Sequence, residues 1–265
     1  MSTLGHGRLG RDAPFALLLA ALVAFAWAVL SAWSLSPWAG YLDHRVLEHV
    51  PLRLTPRYLG LVGLFVAGWV LMSAAMMLPT SLPLVRLFAR TTAGRRDRGR
   101  LIALLIVGYL AVWAGVGLLA HLGDLAVHET VHRLSWLGRN EWAVGAATLA
   151  VAGVLQLTPL RNACLTRCRS PLSFLAERWG RGTPRRDAIS LGVRHGLFCV
   201  GCCWPLMAVM FAFACGSLGW MLVLGAVMGL EKNAAWGRRL TAPVAVLLLA
   251  GASVTVGLGA TGHLG

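Results

Sequence analysis

Seven apolar blocks divide the 265-residue chain, at about 14 to 35, 58 to 78, 101 to 120, 142 to 160, 196 to 214, 217 to 231 and 241 to 260, and they decide which solvent the fold must face. A helix needs roughly 20 apolar residues to cross the hydrocarbon core of a bilayer, and only a helix or a closed barrel satisfies its backbone groups there. Most of the blocks approach that length; the sixth is the shortest. With 57% hydrophobic residues, 13% charged residues and a mean hydropathy of +0.70, too little polar surface remains to clothe a water-soluble domain. The expected fold is all-α, a polytopic transmembrane helical bundle of about seven spans. It forms a single integral membrane domain over residues 1–265, without a soluble domain, a low-complexity linker or an internal repeat. The first block has no small-residue cleavage site and carries Trp27, Trp33 and Trp38 at its end, which suits a retained helix anchored at the interface.

Charge orients the blocks. The segments 1–13, 86–100, 161–194 and 232–240 hold 19 of the 24 Lys and Arg residues, and the alternate segments hold 5. The excess of basic residues on cytoplasmic loops then places the N-terminus in the cytoplasm and the C-terminus outside, in a bacterial inner membrane. A net charge of +14 invites a nucleic-acid reading, but the alternation assigns it to topology, so the lipid bilayer is the expected partner and nucleic acid is not. Only one of the 24 basic residues is lysine, which reads as a GC-rich coding sequence.

Sulfur is distributed less evenly. Three of the six cysteines fall in Cys199-Val200-Gly201-Cys202-Cys203-Trp204, on one turn of the fifth block. At 3.6 residues per turn Cys199, Cys203, Met207 and Met210 lie within roughly 80° of arc, with Cys202 about 60° to the other side. In the second block Met72 and Met76 share a face, with Met77 beside them. The charge-derived topology puts Met76 and Met77 at the depth of Cys199, and it brings Cys164 and Cys168, at the inner end of the fourth block, to the same level. Thiolates and thioethers select Cu(I), and the scarcity of intramembrane carboxylates argues against Mg²⁺ or Mn²⁺. Taken singly, Met72, Met210, Met221 and Met228 read as packing.

Six histidines, His44, His49, His121, His128, His132 and His263, fall outside, beside Asp43, Glu48, Asp124 and Glu129. Imidazole and carboxylate ligands of this kind could collect a divalent ion, although solvated loops often carry histidine. His128-Glu129-Thr130-Val131-His132 matches the H-E-x-x-H pattern of zinc peptidases, but the third ligand and the substrate cleft are missing, so zinc is the lesser expectation. A membrane thiol–disulfide redox protein is the other alternative, with all cysteines but Cys215 at or below the middle of the membrane.

Several stretches together resemble the bacterial family of predicted metal-binding integral membrane proteins, domain of unknown function 2182, some of whose members are described as copper chaperones. They are Ala74-Ala75-Met76-Met77-Leu78-Pro79, Gln156-Leu157-Thr158-Pro159-Leu160, Cys164 with Cys168-Arg169-Ser170-Pro171, His195-Gly196, the Cys199 to Trp204 run, Leu206-Met207, Trp220-Met221 and Glu231-Lys232. The resemblance covers about residues 60 to 240. Gly216 and Ser217 stand where the family often has Met-Asn. The resemblance implies metal binding and leaves the mechanism open.

The resulting expectation is a Cu(I)-handling protein, with Cys199, Cys202 and Cys203 as ligands and Met76, Met77 and Met207 as nearby thioethers. Cys164 and Cys168 would form a cytoplasmic pair through which the ion arrives or leaves, exchanged with a cuproenzyme or a metallochaperone. Neither a catalytic residue nor a phosphate-binding loop for a pump is evident. Glu231 is expected to pair with Lys232 or Arg238 at the interface.

Overall fold

The computed structural model describes residues 6–36, 55–140, 142–214 and 218–261, and every regular element among them is helical. Proline and threonine set several of the boundaries. Helix α1 spans His6–Ser34 and α2 spans Pro56–Met77; α2 is opened by Pro56 at its first turn and by the Thr55 hydroxyl, which accepts from the Tyr58 amide at 3.3 Å. Pro79 lacks the N–H that would continue α2, and a 3₁₀ turn, Pro79–Ser81, leads into the short amphipathic α3, Leu82–Thr91. Helices α4, Arg98–Arg133, and α5, Ser135–Arg139, follow. Next come α6, Trp142–Gln156, and α7, Pro159–Cys168, where Thr158 and Pro159 cap a new helix instead of extending the old one. The two meet at a bend of 66°. The chain closes with α8, Pro171–Arg178; α9, Pro184–Ala214; α10, Leu218–Asn233; a 3₁₀ turn, Gly237–Leu240; and α11, Thr241–Ala260.

All seven apolar blocks overlap helices. Four of the described helices are long and apolar enough to cross a membrane, or up to five if the bent α6–α7 pair is one span, against the seven expected. Part of the difference has a local cause: α10 has only 16 residues, and Pro159 breaks the fourth block.

Two expected loops are helical. The segment 121–141 lies largely within α4 and α5, so His121 and His128 extend a 36-residue helix. The segment 161–194 is mostly α7, α8 and the start of α9. The helices of 161–194 bury Leu165, Phe174, Leu175 and Leu191 against the bundle, which hydropathy does not register, whereas 122–133 is a largely exposed continuation of α4.

The bundle is inverted relative to a water-soluble one. Leu119, Leu160, Leu197 and Leu247 are exposed, whereas Gln156, Arg161, His195, Glu231 and Lys232 are buried. Such a surface suits lipid. Helices α4 and α9 form the most extensive packing, and Gly192 permits it: a Cβ there would run into the Leu105 carbonyl. Two cores result. A smaller one joins α3, α8 and the first turns of α4 through Phe88, Leu101 and Phe174; the larger one holds the sulfur residues.

Candidate metal centre

Helix α9 carries the thiols. Its periodicity keeps Cys199 and Cys203 on one face, both buried, with Cys202 also buried beside them. The Cys202 thiol lies 3.1 Å and the Cys203 thiol 2.8 Å from the carbonyl oxygen of Cys199, so both satisfy their weak donors within the helix. Pro205 has no N–H to return to Gly201, which loosens the ladder at this point. Met76 and Met77 from α2 and Met207 from α9 are buried in the same core as the three cysteines.

Helix α7 supplies the remaining thiols. Cys164 and Cys168 are half-buried and pack against that core. The Cys168 Sγ lies 3.7 Å from the Cys202 Sγ, near enough for one ion to bridge both with metal–thiolate bonds of about 2.3 Å. Cys164 rests on Gly201, where a Cβ would approach its Sγ to 2.6 Å, so the missing side chain at Gly201 lets α7 close on α9. The five described cysteines are all free thiols. The eight expected site residues therefore share one core, with Cys164 and Cys168 at its edge. Among the described residues, no three His, Cys, Asp or Glu side chains are gathered into a metal-binding group, so a donor set here has to combine thiols with thioethers.

A family model described as a copper chaperone, PpoB2, matches residues 66–255. The chain belongs to this copper chaperone family. Membership supports a copper-handling role in general, and the matched span contains all eight expected site residues. No curated protein and no solved structure matches the chain.

In this copper chaperone family member the closest neighbour of Cys199 went unrecognised in the sequence. Lys232 is the chain's only lysine, and it is buried, with its Nζ 2.8 Å from the Cys199 Sγ, 3.4 Å from the Thr80 Oγ1 and 3.7 Å from the Met77 Sδ. Tyr109 of α4 places its hydroxyl 3.0 Å from the same sulfur and stacks on His195, whose Nε2 meets the Ser81 hydroxyl at 3.0 Å. The signal for Lys232 was its rarity. One lysine among 24 basic residues was explained by codon usage, although a lone ammonium at a helix end deep in a bundle needs a partner.

Glu231 does not pair as expected. Its carboxylate forms an ion pair with Arg161, both side chains being 2–3% exposed, while Gln156 Nε2 and the Thr241 hydroxyl approach its other oxygen at 3.4 and 3.3 Å. Arg161 also donates to the Cys202 carbonyl at 3.0 Å and to the Thr241 hydroxyl at 2.9 Å. Arg169 donates to the Glu231 and Ala234 carbonyls, the latter at 2.8 Å. The bent pair is thus clamped to α9, α10 and α11 at the height of Cys202. The Glu231 carboxylate is thus committed to Arg161 and not to the thiols.

The outer histidines are divided. His121 is buried and its Nε2 meets the Tyr58 hydroxyl at 2.9 Å. Glu129 accepts from Arg133 Nε at 2.7 Å in an exposed i,i+4 pair, an ordinary helix-surface contact. Asp43, His44, Glu48, His49, Cys215, Gly216, Ser217 and His263, with Trp38, lie outside the described residues.

Proposed function

We propose that the protein binds Cu(I) at the sulfur cluster and hands it on, in chaperone-like delivery at the inner membrane of a bacterium. Cys199, Cys202 and Cys203 are the thiolate ligands, with Met76, Met77 and Met207 as thioether neighbours. Cys164 and Cys168 face the cytoplasm and exchange the ion with a metallochaperone or a cuproenzyme. The observation that carries this reading is the 3.7 Å approach of Cys168 to Cys202. It joins the half-buried pair to the buried cluster, so an ion can pass from one to the other by exchanging a single ligand. The donor set is chemically one-sided: thiols and thioethers suit a soft monovalent ion, and the nearby carboxylate is held by Arg161.

The charges support the same ion. With two of the three cysteines ionised and the third kept as a protonated thiol, one Cu(I) leaves a net charge of −1, which the Lys232 ammonium cancels, so the loaded cluster is neutral in a medium that penalises net charge. The same thiols on different helices would also suit the thiol–disulfide alternative, in which Cys168 and Cys202 exchange a disulfide with a partner.

The deciding experiment is metal content by mass spectrometry on the detergent-purified chain, loaded under reducing conditions with Cu(I), Zn(II) or neither, beside the Cys199→Ser/Cys202→Ser/Cys203→Ser variant. Near-stoichiometric copper in the parent chain and none in the variant is the expected result. Zinc retained by the variant, or no metal in either, would overturn the copper reading. A Cys168–Cys202 disulfide recovered from cells would favour the redox alternative.

A further inference from the structure

All seven methionines after Met1 are buried in the sulfur core, none more than 5% exposed, and the helix geometry arranges them by height. Cys199 of α9 touches Lys232 of α10, and the two are equidistant from a point between residues 215 and 216. This contact makes α9 and α10 an antiparallel pair. Because both rise 1.5 Å per residue, other pairs equidistant from that point share a height. Cys203 is thereby level with Met228, and Met210 is level with Met221.

Helix α2 runs alongside α10 in parallel register. A Cβ on Gly225 would meet Met76, with its Cε at 3.5 Å, and a Cβ on Gly229 would meet the Thr80 Cγ2 at 3.8 Å. The Met76–Gly225 contact fixes the offset, which the 3₁₀ turn after α2 continues at Thr80, and the same offset places Met72 level with Met221. Met72 and Met76 share a face of α2, as Met221 and Gly225 share a face of α10.

Met72, Met210 and Met221 therefore stand in one core at one height on three helices, roughly 16 Å from Cys199 along α9, about half of a hydrocarbon thickness of about 30 Å. We infer that Met72, Met210 and Met221 form a second Cu(I) site, made only of thioethers, at the end of the sulfur core remote from the thiols. This rests on the copper reading of the Cys cluster. Neutral thioethers hold Cu(I) without the anionic charge that a divalent ion needs, and they hold it more weakly than thiolates, as a site that releases the ion requires. Met207, and Met76 level with Gly225, stand between the two heights, so the two sites are linked by sulfur.

The test is anaerobic titration of the full chain in detergent with Cu(I), in competition with a chromogenic Cu(I) chelator. Parent protein should bind two equivalents, one tight and one weak. Met210→Leu/Met221→Leu, which keeps side-chain size but removes both sulfurs, should lose the weak equivalent alone. The triple Cys→Ser variant should lose the tight one. Met72→Leu, titrated in parallel, decides the matter if the double variant does not fold. Two equivalents retained in Met210→Leu/Met221→Leu would overturn the second site. A single equivalent in the parent chain, lost with the cysteines, would also overturn it while leaving the thiol site standing; no copper bound at all would overturn both.

Discussion

The ammonium of Lys232 lies 2.8 Å from the sulfur of Cys199 across 33 residues of sequence, and among the described residues no carboxylate forms an ion pair with it. An ion bound beside Cys199 therefore has a cation from the neighbouring helix to offset the negative charge of its thiolates.

Replacing Lys232 by Met should leave the bundle inserted and weaken Cu(I) binding. The loaded cluster would then carry an uncancelled −1. At an effective dielectric of 20 a unit pair 4 Å apart is worth about 4 kcal/mol, most of it offset by desolvation, which leaves a loss of about tenfold or somewhat more in affinity. Chelator competition measures this, and unchanged affinity would remove Lys232 from the site.

Cys168→Ser should slow copper exchange with an external donor without emptying the buried cluster, because Cys168 bridges the half-buried edge to Cys202. Stopped-flow transfer from a Cu(I)-loaded chelator is the measurement. A variant that loads at the parent rate would show that copper reaches Cys202 by another path.

Glu231→Gln should destabilise the protein by about 3–5 kcal/mol, the usual cost of breaking a buried ion pair from one side. It leaves the Arg161 guanidinium uncompensated at the bend between α6 and α7. Arg161→Met combined with Glu231→Gln should recover part of that loss. Thermal unfolding in detergent supplies the comparison, and additive single effects would mean that the two residues do not couple.

His128→Ala/His132→Ala should leave Cu(I) stoichiometry unchanged, since His128 and Glu129 lie on the α4 surface and Glu129 is engaged by Arg133. Metal analysis tests this directly. A proteolytic activity lost in that variant would instead revive the zinc reading.

What the sequence determined by itself was everything that repeats with a local period. Long apolar runs specify helices in lipid because a helix satisfies its own backbone, and the spacing of Cys199, Cys203, Met207 and Met210 fixes a common face whatever surrounds it. Proline at 79 and 159 was equally visible, although the 66° bend at Pro159 depends on what the second half of the pair can pack against. Tertiary structure alone decided which faces meet. Lys232 joins Cys199 across 33 residues, Arg161 joins Glu231 across 70, and Cys168 approaches Cys202 across 34. Adjacent residues Glu231 and Lys232 looked like partners or interface charges, yet successive helical positions diverge by about 100°, so one faces α7 and the other faces the thiols. Hydropathy records the cost of burying each charge; only the packed helices supply the opposite charge or sulfur that offsets it.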